Sequence, residues 1–353
     1  MFDRRTLILV ASLVLVATFG SAQSALLDLP RRSQNAQVTQ TIGVTDVTVK
    51  YSRPLVNDRK VWGGLVPFGQ VWRAGANENT TITFSDNVIV EGKPLDKGTY
   101  GLFMIPTEND WTIIFSKTNT AWGAFTYKQD EDALRVTVKP ATSDFHDALI
   151  YEFDDLKPDS ALVTLKWDKL AVPIKVSVNV PQTVEASLDK QFRGIQQYTW
   201  VSYDDAANYF LTAKADLPEG LKYVDQSIQI EERYDNLMTK SQILAAMGKP
   251  DEAKKYSEMA LKMANAAQSY GYARQLQRDK KQDEAFAIYR GMVQKFPDSF
   301  YTYAGESRLA VGAGNYDEAV QDMKRCQAAA PEAAKAQIQT LIDRLEKKEN
   351  INQ

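Results

Sequence analysis

The hydrophobic period of this chain changes at Pro181, and that change limits what it can fold into. From Val38 to Val180 apolar and polar residues mostly alternate, as in Thr45-Asp46-Val47-Thr48-Val49-Lys50-Tyr51, Thr81-Ile82-Thr83-Phe84 and Asn87-Val88-Ile89-Val90. A period of two places successive side chains on opposite faces of a strand. Tyr100–Ile105 and Trp111–Phe115 are fuller apolar runs, which predicts central strands. Further strands are predicted at Leu134–Val138, Leu149–Phe153, Ala161–Leu165 and Val172–Val178, with turn signals such as Glu91-Gly92-Lys93-Pro94 and Lys157-Pro158-Asp159 between runs. Roughly nine to eleven short strands with such gaps predict an all-β, two-sheet sandwich that is jelly-roll-like. No long helical pattern interrupts them, which excludes a parallel βαβ sheet.

Beyond Pro181 the period becomes 3.6 and alanine becomes common. Val184–Trp200 reads as a lead-in helix. A self-similarity follows. Gly220, Ala253, Ala285 and Ala319 occupy one equivalent position, 33, 32 and 34 residues apart. Seven residues after each stands Ser227, Ala260, Met292 or Cys326, and Pro297 and Pro331 close the last two units. This pattern resembles the tetratricopeptide repeat, a helix–turn–helix of about 34 residues. The position where that repeat favours tryptophan holds Leu237, Ser269 and Tyr303, so the match is degenerate. About four units fit from Val201 to Pro331, with Glu332–Lys348 as a charged cap helix. Such an array implies a peptide or protein partner in its groove. Tyr270, Tyr272, Tyr301 and Tyr303 fall on first helices of units, where packing between helices is the default.

A chain of 353 residues exceeds one ordinary core, so two domains are expected. The net charge of −3 gives no sign of nucleic-acid binding. With one cysteine and one histidine, no internal disulfide and no zinc site of several Cys and His can form. Arg4 and Arg5, the apolar run Leu7–Phe19 and the small residues Gly20-Ser21-Ala22 predict an export signal cleaved after Ala22. The expected location is periplasmic or secreted, at a bacterial cell envelope. No later segment is apolar enough to span a membrane after cleavage.

One stretch resists strands and helices alike: Arg53–Phe84, with two of the six tryptophans and four glycines. It reads as an ordered functional loop on the β scaffold. Arg59, Arg73, Asn77 and Glu78 supply donors and one carboxylate, with Trp62 or Trp72 as a stacking plate for a small ligand or glycan. The competing reading is structural: an Arg73–Glu78 ion pair and buried tryptophans that tie the loop down. An alternative function is a cell-envelope hydrolase acting on glycans with Glu78 as a catalytic carboxylate, for which the sequence names no second carboxyl. His146 in Ser143–Asp147 reads as a surface-loop histidine, Cys326 as a packing residue, and Asp130-Glu131-Asp132 as a solvated turn. No phosphate loop, nucleophile elbow or spaced metal-ligand set is present, so no cofactor and no metal is expected.

Tyr51-Ser52-Arg53-Pro54, Arg59–Gly69, Val71–Thr80, Glu91-Gly92-Lys93, Gly98–Phe103 and Trp122-Gly123-Ala124-Phe125 closely resemble an exported family known only as domain of unknown function twenty-nine eleven. The resemblance covers roughly Val38 to Val180 and implies no catalytic residue. The expected organisation is a signal peptide at 1–22, a linker at 23–37, the β-sandwich at 38–180, a lead-in helix at 181–200 and the repeats with their cap at 201–348. The reading is an exported binding or scaffold protein: a ligand-binding sandwich followed by a protein-interaction array.

Overall fold

A computed structural model describes residues 30–352. The expected signal peptide at 1–22, its expected cleavage site and part of 23–37 lie outside the described residues.

Ten strands make the first unit: β1 (Gln34–Ile42), β2 (Thr45–Arg53), β3 (Thr81–Phe84), β4 (Val88–Val90), β5 (Lys93–Leu95), β6 (Gly98–Ile105), β7 (Trp111–Ser116), β8 (Asp132–Val138), β9 (Ala141–Asp154) and β10 (Ser160–Ser177). They form a six-stranded sheet in the order β1-β2-β3-β6-β7-β8 and a four-stranded sheet in the order β5-β4-β10-β9. All pairings are antiparallel. The alternating sequence of β2 becomes an alternating burial in which Val47 and Val49 point inward. Val47, Ile82 and Leu102 of the larger sheet join Leu149, Val163, Leu165 and Ile174 of the smaller one in a single core. That is a two-sheet sandwich. The apolar runs β6 and β7 are interior strands, as their composition predicts.

Three boundaries differ from the sequence reading. β1 begins at Gln34, so the stretch read as a linker donates its last residues to the sheet. The segments read as two strands, 161–165 and 172–178, are parts of one long β10, whose register shifts around Asp168. Asp168 has φ 54°, and one backbone kink lets a single strand do what periodicity splits in two. His146 is not in a loop: it lies within β9, paired with Asp168.

The chain divides after Thr183. Among the described residues ten helices follow the strands: α1 (Val180–Gln191), α2 (Trp200–Ala213), α3 (Leu217–Ile230), α4 (Tyr234–Ala246), α5 (Pro250–Met263), α6 (Ala266–Arg278), α7 (Gln282–Lys295), α8 (Phe300–Gly312), α9 (Tyr316–Ala329) and α10 (Glu332–Glu346). The lead-in helix is shorter than the period suggested. It stops at Gln191, a 3-10 turn occupies Ile195–Tyr198, and Trp200 already opens α2 behind the N-cap Thr199. The helices α2/α3, α4/α5, α6/α7 and α8/α9 pack as four hairpins, and α10 packs on α9 as the cap.

The repeated small residues have the job their spacing implies. Gly220, Ala253, Ala285 and Ala319 are all buried in second helices of hairpins. A Cβ on Gly220 would stand 3.0 Å from Cβ of Phe210, which leaves no room for a larger residue. Ser241 and Ser307 donate from the first helix to the carbonyls of Ala253 and Ala319, both at 2.7 Å. The turn within each hairpin passes through a left-handed residue: Lys214, Gly248, Lys280 and Gly314, with φ 50°, 77°, 62° and 81°. Glycine suits that conformation best. Asp251, Asp283 and Asp317 sit inside the first turn of second helices, where their negative charge is favourable beside the positive end of the helix dipole. Cys326 is buried, as expected of a packing residue.

Candidate functional site

The loop between β2 and β3 is held from inside. Trp62 meets Trp72, Trp111 and Trp167 edge-on, with ring centroids 5.8, 4.8 and 5.7 Å away. Trp72 stacks on Trp167 at 6.0 Å. Trp111 belongs to the larger sheet and Trp167 to the smaller, so the loop tryptophans plug the gap between sheets. They are not a free stacking plate. Trp72 also exchanges two backbone hydrogen bonds with Met104, both 2.8 Å, and its indole donates to Gly75 O at 3.1 Å. Arg59 donates to the carbonyls of Val56 and Leu55, so this exposed arginine closes its own turn. Tyr151 donates to Ala74 O at 2.9 Å and Thr80 to the same carbonyl at 3.1 Å, which supports Ala74 at its left-handed φ of 54°.

The Arg73–Glu78 ion pair does not form. Glu78 pairs with Arg31, a residue of the stretch read as a linker. That hydrogen bond, more than any other influence, holds the Glu78 carboxyl below its ordinary range. A proton-donating carboxyl needs the opposite shift, so Glu78 is poorly suited to general-acid work on a glycan. Asn77 donates to Ser33 O at 3.2 Å, and Gly123 donates to Asn77 O at 3.3 Å.

Arg73 is left over. It is half-buried, and among the described residues its Nε has no hydrogen-bond partner. Burial lowers its pKa from the ordinary arginine value. A Cβ on Gly123 would lie 3.6 Å from Nη1 of Arg73 and 2.7 Å from the Phe125 ring. Trp122 and Phe125 flank this glycine and are 59% and 87% exposed. Of the six residues singled out from sequence, the fold therefore uses Arg59, Trp62, Trp72, Asn77 and Glu78 to build the loop. Two of the six keep an unpartnered donor among the described residues, the indole N–H of Trp62 inside the plug and Nε of Arg73, and Arg73 is the one that lies beside two exposed aromatics.

A second candidate lies in the helical unit, where sequence reasoning named no site. Asp204 of α2, Tyr234, Asp235 and Gln242 of α4, and Tyr272 and Gln275 of α6 line a cleft of about 370 Å³. Asp204 is only 7% exposed, and its Oδ1 has no partner among the described residues. Its Oδ2 accepts from Asn208 at 3.3 Å. Burial pushes the Asp204 carboxyl up to about 6; a hydrogen bond from Thr239 opposes the shift, and the charges of Asp235 and Asp205 add to it. The sequence carried a signal for it: Asp204 stands three residues before Ala207 and six before Phe210, on the face that α2 buries. A second cleft, of about 390 Å³, lies between the second and third hairpins and shares Gln242, Tyr272 and Gln275.

Farther along the array the chain fills its own surface. Arg308 of α8 donates to Ile351 O. Asn352 donates to Arg308 O at 2.9 Å and accepts from Gln277 of α6 at 3.0 Å. Tyr289 completes the chain by donating to Gln277 at 2.9 Å. Both Ile351 and Asn352 are buried.

Among the described residues no cluster of three or more His, Cys, Asp or Glu is placed to hold a metal ion. None of the described helices is long and apolar enough to cross a membrane.

No curated protein sequence matches the chain. One solved structure similar to part of it is described as "Crystal structure of YrrB: a TPR protein with an unusual peptide-binding site"; identity is 14% and the TM-score 0.28, over 41% of this chain and 76% of that one. Residues 33–176, from the residue before β1 to the penultimate residue of β10, match the family model described as "Protein of unknown function (DUF2911)".

Proposed function

We propose that the chain is an exported interaction scaffold whose helical array holds an extended segment of a partner protein along α2, α4 and α6. The observation that carries this reading is the array's grip on its own Ile351-Asn352, through an arginine to a main-chain carbonyl and through paired carboxamides. The open cleft at Tyr234, Gln242, Tyr272 and Gln275 offers a second segment similar chemistry: carboxamides for the backbone and aromatic faces for side chains. The test is a random decapeptide array probed with the full chain. A subset of peptides is expected to bind, and Tyr272→Ala is expected to weaken them about tenfold, equivalent to about 1.4 kcal/mol. Binding unchanged by that substitution, or no binding at all, overturns the reading.

The β unit has a separate seat at Arg73, and its half-buried guanidinium, with Nε unpartnered among the described residues, favours an anionic small ligand there. A carboxylate or phosphate would take the fork of the arginine, with Trp122 and Phe125 as the rim. A thermal-shift screen of uronates, dicarboxylates and phosphate esters is expected to find compounds that raise the melting temperature by mass action. Arg73→Ala should remove the shift, and a shift that survives the substitution places the ligand elsewhere.

A further inference from the structure

Asp204 is the one buried acid of the open cleft, and among the described residues it meets hydrogen-bond donors but no cation. Its residue is 93% hidden, since only 7% is exposed, and Oδ1 faces no donor among the described residues. The charges that act on it, from Asp235 and Asp205, are negative. Elsewhere in the same unit acids are paired: Asp225 with Lys240, Glu231 with Arg233, Asp322 with Arg325. A buried carboxylate with no cationic partner is expensive to keep, and a cation that reaches it gains a strong charge-assisted hydrogen bond.

We propose that Asp204 and Asp235 seat the lysine or arginine side chain of the segment bound along α2, α4 and α6, so that the array selects a basic peptide. This inference rests on the reading of the array as a peptide scaffold. Tyr234 and Tyr272 line the cleft and supply aromatic faces over which an alkyl stem and its cationic head pack. Gln242 and Gln275 supply carbonyl oxygens for the remaining N–H groups. A divalent metal is the poorer occupant: it needs six to eight hard oxygens, and no third acid completes a cluster among the described residues. Asp204 therefore acts as the terminal anion of a pocket one side chain deep, and Asp235, which is exposed, draws the cation to its mouth.

The experiment compares four nonapeptide libraries whose central residue is Lys, Arg, norleucine or Glu, each titrated against the full chain. Norleucine keeps the lysine stem and removes its charge. The Lys and Arg pools are expected to bind at least tenfold tighter than the norleucine pool at low salt, with the Glu pool weakest. Asp204→Asn should cut that preference about fivefold, and adding Asp235→Asn should abolish it while the norleucine pool binds as before. Neither change threatens the fold, because Asn is isosteric with Asp and residue 235 is exposed. Pools that bind alike overturn the basic-residue seat and leave the scaffold reading standing. A preference that persists in the double variant also overturns it, and a wild-type chain that binds no pool overturns both.

Discussion

Replacing Trp62 by alanine should lower the stability of the β unit by about 3 kcal/mol, a fall of about 10 °C in its melting temperature. Trp62 is the only ring that touches the other three tryptophans of the plug. Removing it leaves Trp111 and Trp167, one from each sheet, facing a void where an edge-on contact stood. Each such contact is worth about 0.5–1.5 kcal/mol beyond the area it buries. Tryptophan fluorescence follows this transition, because four of the six tryptophans lie in the plug, and far-ultraviolet circular dichroism follows the helices separately. A loss below about 1 kcal/mol would mean that the loop tryptophans are a ligand plate after all.

The second large effect has the opposite sign. Asp204→Asn should stabilise the ligand-free helical unit. A carboxyl moved from 3.8 to about 6 by burial disfavours its charged form in the folded state. At neutral pH the full linkage would be about 3 kcal/mol, and water in the open cleft together with the Asn208 contact reduces it to about 1–2 kcal/mol. The pH dependence follows from the direction of the shift. Between pH 6 and 3.8 the folded state binds more protons than the unfolded one, so the penalty fades as pH falls through this window and is gone below it. The wild-type helical transition should therefore rise on acidification from pH 7 to about 4.5 relative to that of Asp204→Asn. Parallel pH profiles for the two proteins would sink this account. A residue that weakens its own fold and strengthens binding is the pattern expected of a functional group.

The two units were legible because each rests on a long periodic signal. Alternation over Val38–Val180 gave a sandwich, since a half-buried strand must alternate. The spacing of Gly220, Ala253, Ala285 and Ala319 gave the hairpins, since only a small residue fits that helix crossing. What sequence could not give was pairing across distance. Glu78 chose Arg31 over Arg73, and nothing local records that choice: the two partners lie 47 residues apart. The tryptophan plug needs Trp111 and Trp167 from separate sheets, so no window of sequence contains it. The kink at Asp168 escaped for a different reason, because a strand that bends mimics two strands with a turn between them. Asp204 was visible as an acid on an apolar helix face, but its meaning depends on α4 and α6, which bring Asp235 and Tyr272 to the same cleft.

The cleft between the second and third hairpins also bears on how the array holds together. In a linear stack each repeat is stabilised by its neighbours, and the weakest junction decides where the stack parts. Here Lys295 of α7 reaches back to the carbonyls of Leu261, Lys262 and Ala264 at the end of α5, at 3.0, 2.9 and 3.1 Å, while open space remains between the hairpins. A segment lying across α2, α4 and α6 would bridge that junction. Its partner would then be more than cargo: it would be the missing stitch that turns two short stacks into one cooperative spring.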